Sequence, residues 1–545
     1  MKKLILLLSS VTLGYGQTAP RLDDLRLSAE IGSFSATRPD RLPFWQHANQ
    51  FGIVPTRPTL AQLRLGTYLP YRSGSPARGR RRFDWGYGAE LVVNATPAAT
   101  LLIPELYVRA RLGAFEVQAG RRRQVFSLQD TALSTGAYAW SGNALPVPGL
   151  QLAVPQFTAV PGTAGLLAFR GYFAHGWFQG AGERFIRDTY LHQKALYLRL
   201  GRTHWPIRLY GGFHHQAEWG GYSHALPGSL SRDGQLPATF SDYFDVVTGR
   251  SLGYRALVDT TRINPFDRAN RIGNHLGTID IGVEFYTRKL RFFLYRQSIF
   301  EDGSLYYLTN IGDGLNGLHV QFLYPRSRRF YVRDLLVEYL NTMSQGGPYF
   351  YDLDKFRGRD NYFNHSQYRD GWSYGGRTLG NPFLPPMTDT RTDLPRYGFT
   401  NNNRVQVAHI GIAGGFGPGF TFETKLSYSV NYGTYEQSFP TVRRQFSSVL
   451  RLGTPVSAAH GLVALASFGL DAGSLYDNAL GLQVSLRKTW PVRRPRPVRL
   501  VASPLARKGI TLPAPAPVSR TILLPRSVLT DNARPAKQRS PVRRY

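Results

Sequence analysis

The most regular feature of this chain is a two-residue alternation of apolar and polar side chains, in runs of about ten residues separated by turns. Over residues 105–112, Leu106, Val108, Ala110 and Leu112 form the apolar set, and Glu105, Tyr107, Arg109 and Arg111 the polar one. Successive side chains of a strand point to opposite faces, so the run predicts a strand with one oily and one charged face. Gly113 and Ala114 supply a turn. Phe115, Val117 and Ala119 then return opposite Glu116, Gln118 and Arg122, a layout that lets unlike charges pair across a hairpin.

The pattern recurs at Ile279, Ile281, Val283 and Phe285, with Asp280 and Glu284 on the other parity, a Thr287-Arg288-Lys289 turn, and then Leu290, Phe292 and Leu294. Phe420, Phe422, Thr424, Leu426, Tyr428 and Val430 make one of the cleanest such runs, and Leu480 to Leu486 carry it on to Trp490. Alternation alone leaves open which face is inside, because a soluble sandwich buries its apolar face whereas a membrane barrel turns it to lipid.

Three features favour the barrel. The chain opens with Lys2 and Lys3, an apolar core from Leu4 to Leu13 and small residues at Gly14 and Gly16, which reads as a secretory signal peptide over residues 1–16. The strands are of barrel-spanning length, and short turns alternate with long polar loops. Dividing residues 17–490 by roughly 26 per strand with its loop predicts an all-β fold, a large antiparallel transmembrane β-barrel of about 18 strands. The long segments 221–250, 341–364 and 370–404 are then expected to help fill a wide lumen. No later apolar run is long enough to cross a bilayer as a helix.

Composition narrows the partners. The net charge is +31 and there is no cysteine, which removes disulfides and Cys/His zinc sites. Such a charge suits an anionic partner, and export makes nucleic acid the weakest choice among nucleic acid, lipid headgroups and acidic glycans. Part of the excess is local: residues 491–545 hold 13 Lys or Arg against Asp531 alone. This Pro/Arg-rich stretch reads as a disordered basic tail.

Two catalytic patterns fail on context. Gly249-Arg250-Ser251-Leu252-Gly253 spells a nucleophile elbow without a helical period after it. Gly312-Asp313-Gly314-Leu315-Asn316-Gly317 spells a dinucleotide fingerprint but leads into a strand. No cofactor and no metal site is indicated, since His214 and His215, adjacent on a strand, face opposite ways. The polar segments instead carry Trp, Tyr, His and Asn, whose ring faces suit the C–H side of a pyranose and whose amides suit its hydroxyls. The same residues also serve as barrel girdles and loop scaffolding.

Several segments resemble the capsule assembly Wzi family in its Bacteroidetes-type form. They are Pro43-Phe44-Trp45-Gln46-His47-Ala48-Asn49-Gln50-Phe51-Gly52, Gly120-Arg121-Arg122, Leu133-Ser134-Thr135-Gly136, Trp140-Ser141-Gly142-Asn143-Ala144-Leu145-Pro146 and Ala174-His175-Gly176-Trp177-Phe178. Further on come Leu191-His192-Gln193-Lys194, Gly273-Asn274-His275-Leu276-Gly277, Phe300-Glu301-Asp302-Gly303-Ser304, Asp313-Gly314-Leu315-Asn316-Gly317 and Asp370-Gly371-Trp372-Ser373-Tyr374. Each is short; their number and order carry the likeness.

The resemblance implies an outer-membrane barrel that organises capsular or exported polysaccharide at the cell surface by binding, without catalysis. The basic tail departs from the pattern, because Trp490 resembles the closing aromatic of such barrels but is not terminal. The residues expected to hold an acidic glycan are Arg121, Arg122, His175, Trp177, His214, Trp219, Asn274, His275 and Trp372, with outer-membrane lipid as the second partner. The competing expectations are a general or sugar-selective porin filtered by Arg109, Arg111 and Glu116, and an outer-membrane enzyme built on Ser251.

Overall fold

The computed structural model describes residues 24–491, apart from 73–82, 97–98, 179–183, 254–260, 302, 324–328, 350–357, 418 and 458–459. The expected leader over 1–16 and the expected tail, beyond Pro491, lie outside the described residues. The first half of the wall is β1 (Arg26–Ala36), β2 (Thr59–Leu69), β3 (Phe83–Ala95), β4 (Thr100–Leu112), β5 (Phe115–Arg121), β6 (Gly149–Ala159), β7 (Leu167–Trp177), β8 (Tyr190–Leu200) and β9 (Ile207–Trp219). The second is β10 (Asn274–Tyr286), β11 (Leu290–Phe300), β12 (Gly314–Phe322), β13 (Phe330–Asn341), β16 (Val405–Phe416), β17 (Phe420–Gly433), β18 (Ser438–Ser457), β19 (Leu462–Gly473) and β20 (Ala479–Pro491). A small hairpin, β14 (Ser373–Tyr374) and β15 (Arg377–Thr378), stands apart, as do helices α1 (Phe44–His47), α2 (Phe240–Thr248) and α3 (Pro265–Ala269).

Each wall strand pairs antiparallel with the next, and β20 returns to β1 with Ile31 opposite Leu486, giving a closed 18-stranded barrel. The side-chain partition follows the alternation in the sequence. On β10, Ile279, Ile281, Val283 and Phe285 are exposed while Asp280 and Glu284 are buried. Exposed apolar and buried charged positions on one strand are the inverse of a soluble core, and mean that the polar face lines the enclosed side.

Many of the lumenal charges are paired. Glu30 meets Arg64 and Arg487, Glu90 meets Arg64 and Arg123, and Glu116 meets Arg109 and Arg122. Closure at the β1–β20 seam thus gains a buried ion pair, Arg487 Nη2 to Glu30 Oε2 at 2.6 Å, in addition to its backbone ladder.

Short turns such as 113–114 and 287–289 lie at one end of the barrel with the start of β1 and the end of β20, and the long connections 37–58, 122–148, 220–273 and 342–404 lie at the other. Three of the four enter the lumen. Within 37–58, the backbone N–H of Phe44 donates to Asp471 at 2.9 Å and Trp45 Nε1 to Ser427 Oγ at 3.0 Å, pinning α1 to β19 and β17. Segment 122–148 crosses to the far wall: Ser134 Oγ and the Thr135 N–H donate to Glu338 on β13 at 2.7 and 2.6 Å, and Lys425 Nζ on β17 donates to Ser134 O at 3.0 Å.

The described part of 342–404 locks onto the second loop. Trp372 Nε1 donates to Ala139 O at 2.8 Å and Asn143 Nδ2 to Thr378 O at 3.0 Å. Gly380 allows this approach, because a Cβ there would stand 2.1 Å from Tyr138 O. The buried rings of Trp45, Tyr138, Tyr362, Phe363 and Trp372 make the interior of this plug.

The fourth connection behaves differently from expectation. Its α2 part does not fill the lumen but lies against the outer wall, where Val246 joins Ala217, Trp219 and Ile272 in a separate apolar cluster, whereas Leu226, Leu230 and Asp267 meet Gln367 and Tyr368 of the 342–404 segment. The cause is parity: Ala217 and Trp219 belong to the outward face of β9, so the helix that covers them must sit outside.

Candidate functional site

The plug leaves a small recess at the long-loop end of β5 to β8, with a cavity volume of about 40 Å³. Its wall is set by register. Gln118 pairs with Gln151, Gln151 with Ala174, Ala174 with Gln193 and Gln193 with Gln216, so four glutamines stand in one row across five strands, interrupted by a single alanine. All five positions share the lumenal parity of their strands, and the small Ala174 leaves the gap that opens the recess.

Around the row the polar groups are oriented by neighbours. Gln124 from the plug and Gln151 exchange amide bonds at 2.9 and 3.3 Å. Gln193 Nε2 donates to Gln216 Oε1 at 2.7 Å. Arg122 donates to Gln118 Oε1 at 2.9 Å and to Glu116 at 3.1 Å, and its guanidinium lies over the Tyr107 ring at 5.3 Å. Trp140, Phe126 and Tyr172 supply aromatic surface.

Open valences remain. Among the described residues, Gln216 Nε2 and, further along the lumenal face of β9 and β10, His214 Nδ1 and Asn274 Nδ2 are buried without a hydrogen-bond partner. A buried polar atom left unpaired is costly, and such atoms mark places where a hydroxyl-bearing ligand or water is accommodated.

The nine residues singled out from sequence divide into groups. Arg122 lines the recess, which His175 also borders, and His214 stands on the same lumenal wall, bonded to Tyr172 Oη at 2.7 Å. Asn274 faces the lumen at the rim of β10. Arg121 donates to Ile103 O and Tyr374 Oη, at the loop end of β5. Trp372 is fully buried in the plug. His175, Trp177, Trp219 and His275 belong to the outward parity, where His175 gathers Trp177, Tyr190, Trp219 and Tyr243 edge-on or tilted at 5.1 to 6.1 Å.

His214 and His215 do face opposite sides, the first bonded to Tyr172 within the lumen and the second to His275 Nδ1 at 2.8 Å on the outer face. Sequence reading passed over the glutamine row and Trp140 as site residues. The available signal was glutamine at the polar parity of four strands, but placing the four at one height requires the register.

The catalytic patterns are likewise resolved by their surroundings. Ser251 follows helix α2 rather than a strand, and its hydroxyl donates to Asn270 O at 2.9 Å. Of residues 312–317, Gly312 ends a turn and Gly314 to Gly317 already belong to strand β12. Among the described residues no set of three or more His, Asp or Glu side chains is placed to hold a metal ion. In the plug, His47 is held well below its ordinary pKa by burial and by the nearby Arg377 and Arg41 charges, so it is neutral and accepts from Arg377 at 2.9 Å.

No family model matches the chain, and no curated protein does. Among solved structures, it is similar to Wzi of Escherichia coli, described as an outer membrane protein involved in group 1 capsule assembly and a carbohydrate-binding β-barrel. The identity is 13%, with 85% of this chain and 84% of that chain covered and a TM-score of 0.52. It also aligns with OccK5 (OpdH) of Pseudomonas aeruginosa, at 11% identity, 86% and 98% coverage and a TM-score of 0.40. OccAB4 of Acinetobacter baumannii aligns at 8% identity, 86% and 98% coverage and a TM-score of 0.41. The likeness to Wzi is one of fold.

Proposed function

We propose that this chain is an exported outer-membrane barrel that binds capsular or other exported polysaccharide at its long-loop end, without catalysis. The observation that carries the reading is the interlocked plug, which crosses the lumen and borders a small amide-lined, aromatic-flanked recess at that end. Side-chain amides offer both donor and acceptor, matching sugar hydroxyls, and an indole face suits the apolar side of a pyranose ring. Gln118, Arg122, Trp140, Gln151 and Gln193 form the proposed contact set, with His214, Gln216 and Asn274 along the neighbouring wall. The strongly basic chain favours an acidic glycan. A secretory leader over 1–16 and a basic tail over 491–545 complete the proposed organisation.

Planar-bilayer recording of the purified protein separates this reading from a porin. The expected result is no large steady conductance; a stable open-channel current would defeat it in favour of transport.

A further inference from the structure

The outer wall carries a polar patch where lipid is expected, and α2 covers it. Row by row, Leu196, Phe213 and Ile279 pair across β8, β9 and β10 and are exposed and apolar. The next two rows toward the long loops are Lys194–His215–Gly277 and His192–Ala217–His275. An ammonium and three imidazoles on the outward parity interrupt the oily band. They are sheltered, however: Lys194 Nζ donates to Val247 O at the end of α2, and Tyr243 packs edge-on to His192 at 5.7 Å.

The helix itself is built to stay. Thr239 and Asp242 close a reciprocal capping box, and Gly249 ends the helix at φ 66°, satisfying terminal N–H and C=O groups at both ends. Val246 and Asp242 are buried, and the opposite face presents Phe240 and Phe244, 77% and 56% exposed and in mutual edge contact at 5.1 Å. Two phenylalanines four residues apart share one side of a helix, and here that side points away from the barrel.

Its height on the wall follows from strand length. β8 has 11 residues, which at about 3.3 Å each and roughly 40° of tilt rise about 28 Å, close to the ~25 Å apolar band of such barrels. The rows that α2 covers begin at the third residue of that strand, so they fall within the band if the strand spans the membrane at all.

We infer that α2 is a membrane-embedded collar: it replaces lipid over the polar patch and presents Phe240 and Phe244 to the acyl chains of the outer leaflet. The apolar surface is thereby restored one layer further out. This inference rests on the outer-membrane reading above, and the test distinguishes the two.

The chain has no cysteine, so single labels are specific. Phe240→Cys, Phe244→Cys and, as a wall reference, Ile279→Cys carry a nitroxide in full-length protein reconstituted into phosphatidylethanolamine/phosphatidylglycerol vesicles, with heat-modifiable migration confirming the fold. Relaxation by oxygen is compared with that by a water-soluble nickel chelate. Expected is oxygen-dominated relaxation at all three sites, with the two helix positions within about twofold of Ile279.

Nickel-dominated relaxation at 240 and 244, with Ile279 still oxygen-dominated, overturns the collar and leaves the barrel standing. Labels at 240 and 244 shielded from both reagents, or spin-coupled between molecules, likewise overturn it in favour of a protein contact. Nickel access at Ile279 as well removes the membrane reading itself.

Discussion

Gln151 and Gln193 flank the gap left by Ala174, and each has an amide bonded to a second glutamine. A neutral hydrogen bond is worth about 1 kcal/mol net, so replacing both by Ala costs about 2 kcal/mol of glycan binding, roughly thirtyfold in affinity. The measurement is titration with polysaccharide purified from producing cells; unchanged affinity in a correctly assembled double variant would move the site elsewhere.

A second residue, Asp267 in α3, reports on the outer loop. Burial, with Asp242 nearby, pushes its carboxyl up to about 7, although Asn264 and Gln367 bond to it. An unfolded aspartate titrates near 3.9. Between these values the folded chain keeps a proton that the unfolded chain has released. The contribution to stability is therefore complete below the lower value and is lost as pH rises through the upper one. Limited proteolysis within 261–273 is expected to be slower at pH 5 than at pH 8, and Asp267→Asn should flatten that difference.

At the scale of elements, the plug is held from the wall inward. Glu338 on β13 accepts from Ser134 Oγ, the Thr135 N–H and Tyr295 Oη, so one carboxylate fixes the tip of segment 122–148. Glu338→Leu leaves three buried donors unpaired at about 1–3 kcal/mol each, without touching the outer face. The expected outcome is a folded barrel that shows intermittent conductance steps in planar bilayers, where the parent protein is expected to be silent. Continued silence would mean that Trp45 and the 342–404 segment close the lumen unaided. The strands carry a complementary lesson: their apolar parity forms the outer face of the wall while their polar parity builds the plug's anchoring points, so each strand serves two faces through one alternation.

For the whole molecule, topology concentrates the chemistry at one end. Every long connection lies at the same end of the barrel; three of them converge in the lumen, while the fourth sets α2 against the outside and also bonds to Gln367 and Tyr368 of the 342–404 segment. The barrel closes between residues about 450 positions apart, as in the bond from Ser485 Oγ to Glu30 Oε1 at 2.8 Å. Loop-closure entropy grows only slowly with chain length, and closure abolishes the edge strands that would otherwise invite association.

Local alternation by itself determined that this chain is all-β, that one face of each strand is oily and the other charged, and where turns such as Gly113-Ala114 and 287–289 fall. It also separated His214 from His215, because side-chain direction on a strand depends on parity alone. Only the tertiary structure decided that Gln118, Gln151, Gln193 and Gln216 share one height, that 37–58 and 122–148 enter the lumen, and that α2 lies outside. Those outcomes depend on register between strands joined by long loops and on which face a loop finds to bury, and neither is encoded within any single run of residues.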